Sequence, residues 1–262
     1  MRLAAPGHWR EYACEAFGLA LFMVSACAFG ALLFHPASPV VAAIPSPLAR
    51  RALMGLAMAA TALVNVYSPW GRRSGSHLNP AVTLTFLRLG KVAPRDAAWY
   101  VMAQFAGGIA GALVAVLFLH RWVMHPEVHY VVTEPGRFGT GVAFMAEVAM
   151  ATGLMVTVLA VSSHHRWQHH TGVAAAALIA MYITFESPLS GMSMNPARTL
   201  GSALPAHHWH AMWVYFLAPP LGMLLGAAIH LRANRKAEFC AKIDHDPRVP
   251  CIFCEFHRHR PA

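Results

Sequence analysis

The sequence predicts an all-α membrane protein in which six transmembrane helices surround two re-entrant half-helices, arranged as an inverted repeat. Three observations carry that prediction. Of 262 residues, 57% are hydrophobic and only 12% charged, against roughly 45–50% and about 25% in ordinary soluble domains. Six segments approach or exceed the length of about 20 apolar residues that a crossing helix needs. One short box occurs once in each half of the chain, each time ahead of an apolar run too brief to cross.

The six spans are Tyr12–Phe34, Leu48–Tyr67, Ala97–Leu119, Val142–Ser162, Gly172–Phe185 and Trp209–Leu231. The fifth is short unless it continues to Leu189. An even number of spans puts both termini on one side. With that side taken as cytoplasmic, 15 of the 20 Lys and Arg fall there. Only Arg50, Arg51, Arg121, Arg137 and Arg198 fall on the other, and such a bias orients membrane proteins. The sorting also explains the net charge of +9 and removes nucleic acid as a partner, because no basic stripe is left over. The expected setting is a cell membrane, inner or plasma, with both termini cytoplasmic. The first span is long and holds Glu15, unlike a removable signal peptide. Five cysteines, three of them in the last 25 residues, are too few and too clustered for an extracellular disulfide framework.

The box Asn79-Pro80-Ala81-Val82-Thr83-Leu84 returns as Asn195-Pro196-Ala197-Arg198-Thr199-Leu200. Asn is a preferred helix N-cap and Pro is tolerated at the first helical position, so each box reads as a helix start. Each half holds three spans, an odd number, so the repeats at about 9–120 and 140–232 insert with opposite topology. Two half-helices starting mid-membrane point their positive dipole ends at the centre. There the Asn79 and Asn195 amides donate to a passing oxygen while the dipoles repel cations. The irregular backbone before each box survives at that depth only if buried in protein or lining a wet cavity. The carbonyls of Gly75, Ser76, His77 and Leu78, and of Gly191, Ser193 and Met194, then form an acceptor ladder.

Beside the two boxes stand Ala13-Cys14-Glu15-Ala16-Phe17-Gly18, Ala103-Gln104-Phe105-Ala106-Gly107-Gly108 and Ala146-Glu147. On these residues the chain resembles the aquaporin and glycerol-facilitator family (major intrinsic proteins) over roughly residues 9–235. The resemblance implies a passive channel rather than an enzyme, in a homotetramer with one pore per protomer. It implies that Glu15 and Glu147 accept hydrogen bonds from the half-helix loops and that Arg198 stands at the narrowest point. Family counting puts the selectivity filter at Ala59, Ile183, Met192 and Arg198. The count to Ala59 is ungapped, and one inserted residue in the loop Ser68–Arg73 selects Met58 instead. Between Ala52 and Val66 there is no aromatic residue. A filter without aromatic and imidazole walls implies passage of water and small uncharged solutes such as glycerol or urea. Thr199, Ala203 and the pair Tyr215-Phe216 resemble water-channel members, which keeps a strictly water-selective channel as the alternative.

Residues 1–235 read as the channel domain and 236–262 as a cytoplasmic tail. The tail carries Cys240, Cys251, Cys254, His257 and His259, and a Cys-x-x-Cys followed by His has zinc-like spacing. Metal binding, reversible oxidation and a membrane-surface role stay open for it. No other cofactor is expected. His164, His165, His169 and His170 read as a solvated loop, with a pH or metal gate as the alternative. Glu186, near the exit of the fifth span, is unusual for the family. Seventeen His and seven Trp raise the rival class of a membrane haem protein. Haem needs His ligands on facing spans, whereas nearly all histidines here fall in loops, with His230 near a span end and His77 in the pore loop. No nucleotide-binding or catalytic motif is present.

Overall fold

A computed structural model describes residues 7–233 and 239–258, the last two by backbone alone. Arg2, Arg235, Lys236, His259 and Arg260, the side chain of His257, and the boundary set at residue 235 lie outside that description. The principal helices are α1 (Trp9–Phe34), α2 (Pro47–Tyr67), α3 (Pro80–Arg88), α4 (Pro94–Leu119), α5 (Gly139–Ser162), α6 (Thr171–Phe185), α7 (Pro196–Ala206), α8 (Met212–Ala233) and α9 (Ile252–Arg258).

Three spans start about a turn earlier than their apolar cores, at Trp9, Pro94 and Gly139, because the first turn is built partly from charged or small residues. Helix α2 starts one residue early, where Ser46 caps it by accepting from the Ala49 N–H, with Pro47 in the first turn. The helix α8 instead starts three residues later than expected, at Met212. Among the described residues five helices are long and apolar enough to cross a bilayer unaided. The sixth, α6, has 15 residues and rises only about 22 Å, short of the ~30 Å hydrocarbon core. Glu186 keeps helical dihedrals (φ −93°, ψ −28°) and leads into another turn at Ser187–Ser190. The fifth span is therefore completed by a nearly continuous helical run from Thr171 to Ser190.

The packing repeats with the halves exchanged. Helix α1 lies on α4 as α5 lies on α8, α7 lies against α4 as α3 lies against α8, and α2 meets α6 across the middle. The tight seams depend on residues without side chains. A Cβ at Gly107 or Gly111 of α4 would stand 2.1 or 2.3 Å from the carbonyl oxygen of Ala16 or Ala20 in α1. In the other half, Gly222 and Gly226 of α8 approach the carbonyls of Val148 and Thr152 in α5 in the same way. Small residues let membrane helices reach van der Waals contact where apolar burial supplies little drive. Leu117, Phe118 and Met145 point outward, 64–80% exposed, a surface suited to lipid rather than water.

Candidate functional site

The two half-helices begin as their sequence demands. The Asn79 side-chain oxygen accepts from the Ala81 N–H at 2.9 Å, and that of Asn195 accepts from Ala197 and Arg198 at 3.0 and 3.2 Å. Ahead of each, the backbone takes the left-handed region at the same three places: Gly75, Ser76 and Leu78 in the first loop, Gly191, Met192 and Met194 in the second. Four of these are not glycine, and such residues persist only where surroundings over-determine them.

A buried carboxylate supplies that determination in each half. Glu15 accepts from Ser74 Oγ (2.8 Å), from the N–H groups of His77 (3.0 Å) and Leu78 (2.7 Å), and from Gln104 Nε2 (2.8 Å). Glu147 accepts from Ser190 Oγ (2.7 Å) and from the N–H groups of Ser193 (2.7 Å) and Met194 (2.6 Å). Tyrosine hydroxyls add a brace: Tyr100 donates to the Ser74 carbonyl and Tyr215 to the Ser190 carbonyl, at 2.6 and 2.7 Å. All four anchors are fully buried.

The two half-helices meet head to head. Asn79 Nδ2 donates to the Met194 carbonyl and Asn195 Nδ2 to the Leu78 carbonyl, each at 2.7 Å. One amide hydrogen of each asparagine is thus spent on the opposite loop. The Leu78 and Met194 carbonyls, which accept these bonds, each keep a second lone pair.

A cavity of about 620 Å³ runs past this junction. Asn79, Asn195, Ser76, His77, Leu78, Gly191, Met192, Ser193, Met194, Ile183 and Arg198 all line it, while Gly75 does not. On α2 the wall runs from Pro47, Arg50 and Arg51 at the helix start through Met54, Met58, Ala62 and Val66, the last four with Arg50 forming a stripe of every fourth residue on one helix face. Ala59 is buried and absent from the wall, where its neighbour Met58 stands instead. Arg198 lines this cavity, and its Nη1 is buried without a partner among the described residues. Both carboxylate oxygens of Glu186 are likewise buried without a partner there.

On the side where α1 begins, the mouth of the cavity is occupied by residues that sequence reasoning left in a detached tail. The Ile243 N–H donates to the Gly75 carbonyl at 3.0 Å. His77 Nε2 stands 2.8 Å from the Ala241 carbonyl and its Nδ1 3.0 Å from Thr83 Oγ1. A carbonyl only accepts, so Nε2 carries the proton and Nδ1 accepts from Thr83. The same ring is stacked between Phe86 and Phe253. Lys242, 2% exposed, donates from Nζ to the carbonyls of Arg72 (2.6 Å) and Pro250 (2.9 Å). Asp244 is held by Arg72 Nε at 2.9 Å and His169 Nδ1 at 3.2 Å. Arg248, aided by Arg72, holds the Asp246 carboxyl well below the usual carboxylate range. Of the four loop histidines only His169 engages this mouth; His164, His165 and His170 are exposed.

The tail cysteines come together with an imidazole that the spacing does not single out, while the side chain of His257 and residue His259 lie outside the described residues. Cys240, Cys251, Cys254 and His245 place one ligand atom each within 4.8 Å of one another. His245 precedes the Cys-x-x-Cys pair, and its position five residues after Cys240 was the available signal.

The family model described as "Major intrinsic protein" matches residues 2–230. "Aquaporin NIP3-1" of Zea mays is 34% identical over 213 residues, covering 79% of this chain and 67% of that protein. "Aquaporin NIP3-1" of Oryza sativa subsp. japonica is 32% identical, covering 79% and 65%. "Aquaporin NIP6-1" of Arabidopsis thaliana is 35% identical over 175 residues, covering 66% and 55%. The aligned part thus spans about two thirds of the first two relatives and just over half of the third. Among solved structures, the fold is similar to that described as "X-ray structure of the aquaglyceroporin from Plasmodium falciparum", with TM-score 0.70 and 19% identity. That match covers 86% of this chain and 96% of the other.

Proposed function

The chain belongs to the major intrinsic protein family, and from that premise we propose that it is a passive channel for water and small uncharged solutes that excludes protons and ions. The observation that carries this reading is the cavity passing between the two head-to-head asparagines. A solute there meets the remaining amide hydrogens of Asn79 and Asn195 and, farther out, the unpaired Arg198 donor. Cations meet that guanidinium and two half-helix positive ends where little water screens them.

We take Met58, Ile183, Met192 and Arg198 as the selectivity filter. None of the first three is a ring, so the filter admits more than water. The names of the relatives and of the structural neighbour, aquaporins and an aquaglyceroporin, agree with that range. The protein is then a transporter rather than an enzyme. It sits in the cell membrane as a homotetramer with both termini cytoplasmic, an orientation supported by the Lys and Arg bias. Stopped-flow swelling of proteoliposomes under water, glycerol and urea gradients tests the reading. Faster entry of water and of at least one solute than in empty liposomes is expected, and lipid-level rates for all three, with a chelator present as well as absent, would refute it.

A strictly water-selective pore is favoured by one feature. Met58 and Met192 are flexible thioethers buried against the lumen, 1% and 7% exposed, able to fill the space that rings would otherwise take. If wild type passes only water and Met192→Ala admits glycerol, the methionine is the filter and the wider reading fails.

A further inference from the structure

The tail in the mouth and the thiol cluster beside it belong to one device. Ile243 lines the main cavity and also a second cavity of about 480 Å³ on its other side, whose wall includes Cys240, His245 and Cys254. The segment 241–243 is therefore a partition across the mouth. It has little to hold it by itself. The described tail contains one helix, α9, of seven residues, and segments this small need a staple to stay folded.

The four side chains supply one. Cys240 Sγ stands 3.5 Å from Cys251 Sγ and 3.7 Å from Cys254 Sγ, and Cys254 Sγ stands 3.3 Å from His245 Nε2. A tetrahedral ion with metal–sulfur bonds of ~2.3 Å and metal–nitrogen bonds of ~2.0–2.1 Å sets ligand atoms about 3.6–3.8 Å apart. The observed edges already approach that figure. All three cysteines are free thiols, and a disulfide, at about 2.05 Å, would use two sulfurs and leave the third and the imidazole idle. Three sulfurs and one nitrogen suit a zinc-class ion, whereas calcium and magnesium take oxygen. The Lys242 N–H donates to Cys240 Sγ at 3.5 Å, and the buried Lys242 ammonium offsets the net negative charge of three thiolates around a divalent ion.

We propose that Cys240, His245, Cys251 and Cys254 bind one zinc-class divalent cation, and that the bound metal holds residues 241–243 in the mouth as a removable stopper. Each thiol gives up its proton to solvent on coordination, and no oxidation is involved. The stopper rests on the channel reading above; the metal site does not. The second cavity gives the ion, and a competing chelator, a way in.

The test uses the full chain. Purified protein titrated with Co²⁺ is expected to take up one ion per chain with the intense absorption of tetrahedral cobalt thiolate, and Zn²⁺ to displace it. Cys251→Ser/Cys254→Ser is expected to lose the signal while eluting from gel filtration as wild type does. His245→Ala is expected to weaken binding by at least the ~10–100-fold that loss of an outer-shell partner costs. In proteoliposomes, water permeability is expected to rise severalfold when Zn²⁺-loaded protein is chelated, and to be high without chelation in the double variant. Absent stoichiometric uptake, or a mass two hydrogens short on the tail peptide, overturns the site. Equal permeability with and without metal overturns the stopper. If every form stays at the lipid baseline while cobalt still binds, the site stands, and both the stopper and the channel reading fall.

Discussion

Glu147→Gln changes one atom and tests whether a carboxylate holds the second pore loop in its left-handed conformation. Oε1 accepts from Ser190 Oγ and the Ser193 N–H, and Oε2 from the Met194 N–H. Glutamine offers one oxygen and an NH₂ group that only donates. With its oxygen in the place of Oε1, two bonds survive and the NH₂ faces the Met194 N–H, donor against donor. A buried donor left without an acceptor costs about 1–3 kcal/mol, and this is the expected loss of stability. Glu147→Ala strips all three donors, about 3–9 kcal/mol before water enters or the loop relaxes. Glu15→Gln is expected to cost about as much, because an NH₂ in the place of Oε2 faces the Leu78 N–H in the same way; Gln104 can relieve only its own contact, by turning its unpartnered Oε1 to the new NH₂. Thermal unfolding of purified protein, followed by gel filtration after heating, gives the order. Water permeability on the same preparations reports whether Met192 and Arg198 stay in place. Glu147→Gln with unchanged stability and permeability would refute the reasoning.

Met58→Phe combined with Ile183→His is expected to cut glycerol and urea flux and spare water, whereas Ala59→Phe, off the cavity wall, is expected to destabilise the helix seam without that selectivity change. Equal solute flux profiles for the two would return the filter to Ala59. Gly107→Ala sets a Cβ 2.1 Å from a backbone oxygen and is expected to cost at least the ~1–3 kcal/mol of ordinary overpacking; Gly141→Ala, with no atom within 4 Å, is the thermal-stability control and is expected to lose nothing. Arg198→Val is expected to admit protons or small cations, read from a trapped pH dye under an imposed potential. An unchanged leak would mean that the half-helix ends suffice.

The spans were legible because each is an apolar run of nearly bilayer length, and the half-helices because Asn-Pro states both a cap and a first turn. The fifth span was short on the page for a local reason: Glu186 and Pro188 interrupt its hydropathy without interrupting its helical dihedrals. The α2 wall passes through Met58 and not Ala59, and on a helix one residue is a turn of about 100°, enough to exchange the lumen for a neighbouring helix; the ungapped count has no local signal that separates the two. Adjacency along the chain points to a histidine just after Cys254; His245, nine residues earlier, comes to the thiols across a turn closed by the Val249 N–H on the Asp246 carbonyl, which no local spacing announces. That Ala241 meets His77 across more than 160 positions of sequence has no local signature at all.

The reciprocal bonds between Asn79 and the Met194 carbonyl, and between Asn195 and the Leu78 carbonyl, bear on how the chain is made. When the first half has entered the bilayer and the second is still to come, the Asn79 amide and the Leu78 carbonyl have no protein partner. Unpaired polar groups in hydrocarbon cost several kcal/mol each, so the first re-entrant loop has reason to stay near the interface until its counterpart arrives. The two repeats are then not independent folding units despite their internal likeness. Seating of the loops is a late, joint event, and a break in the chain between residues 120 and 140 leaves each half waiting for the other.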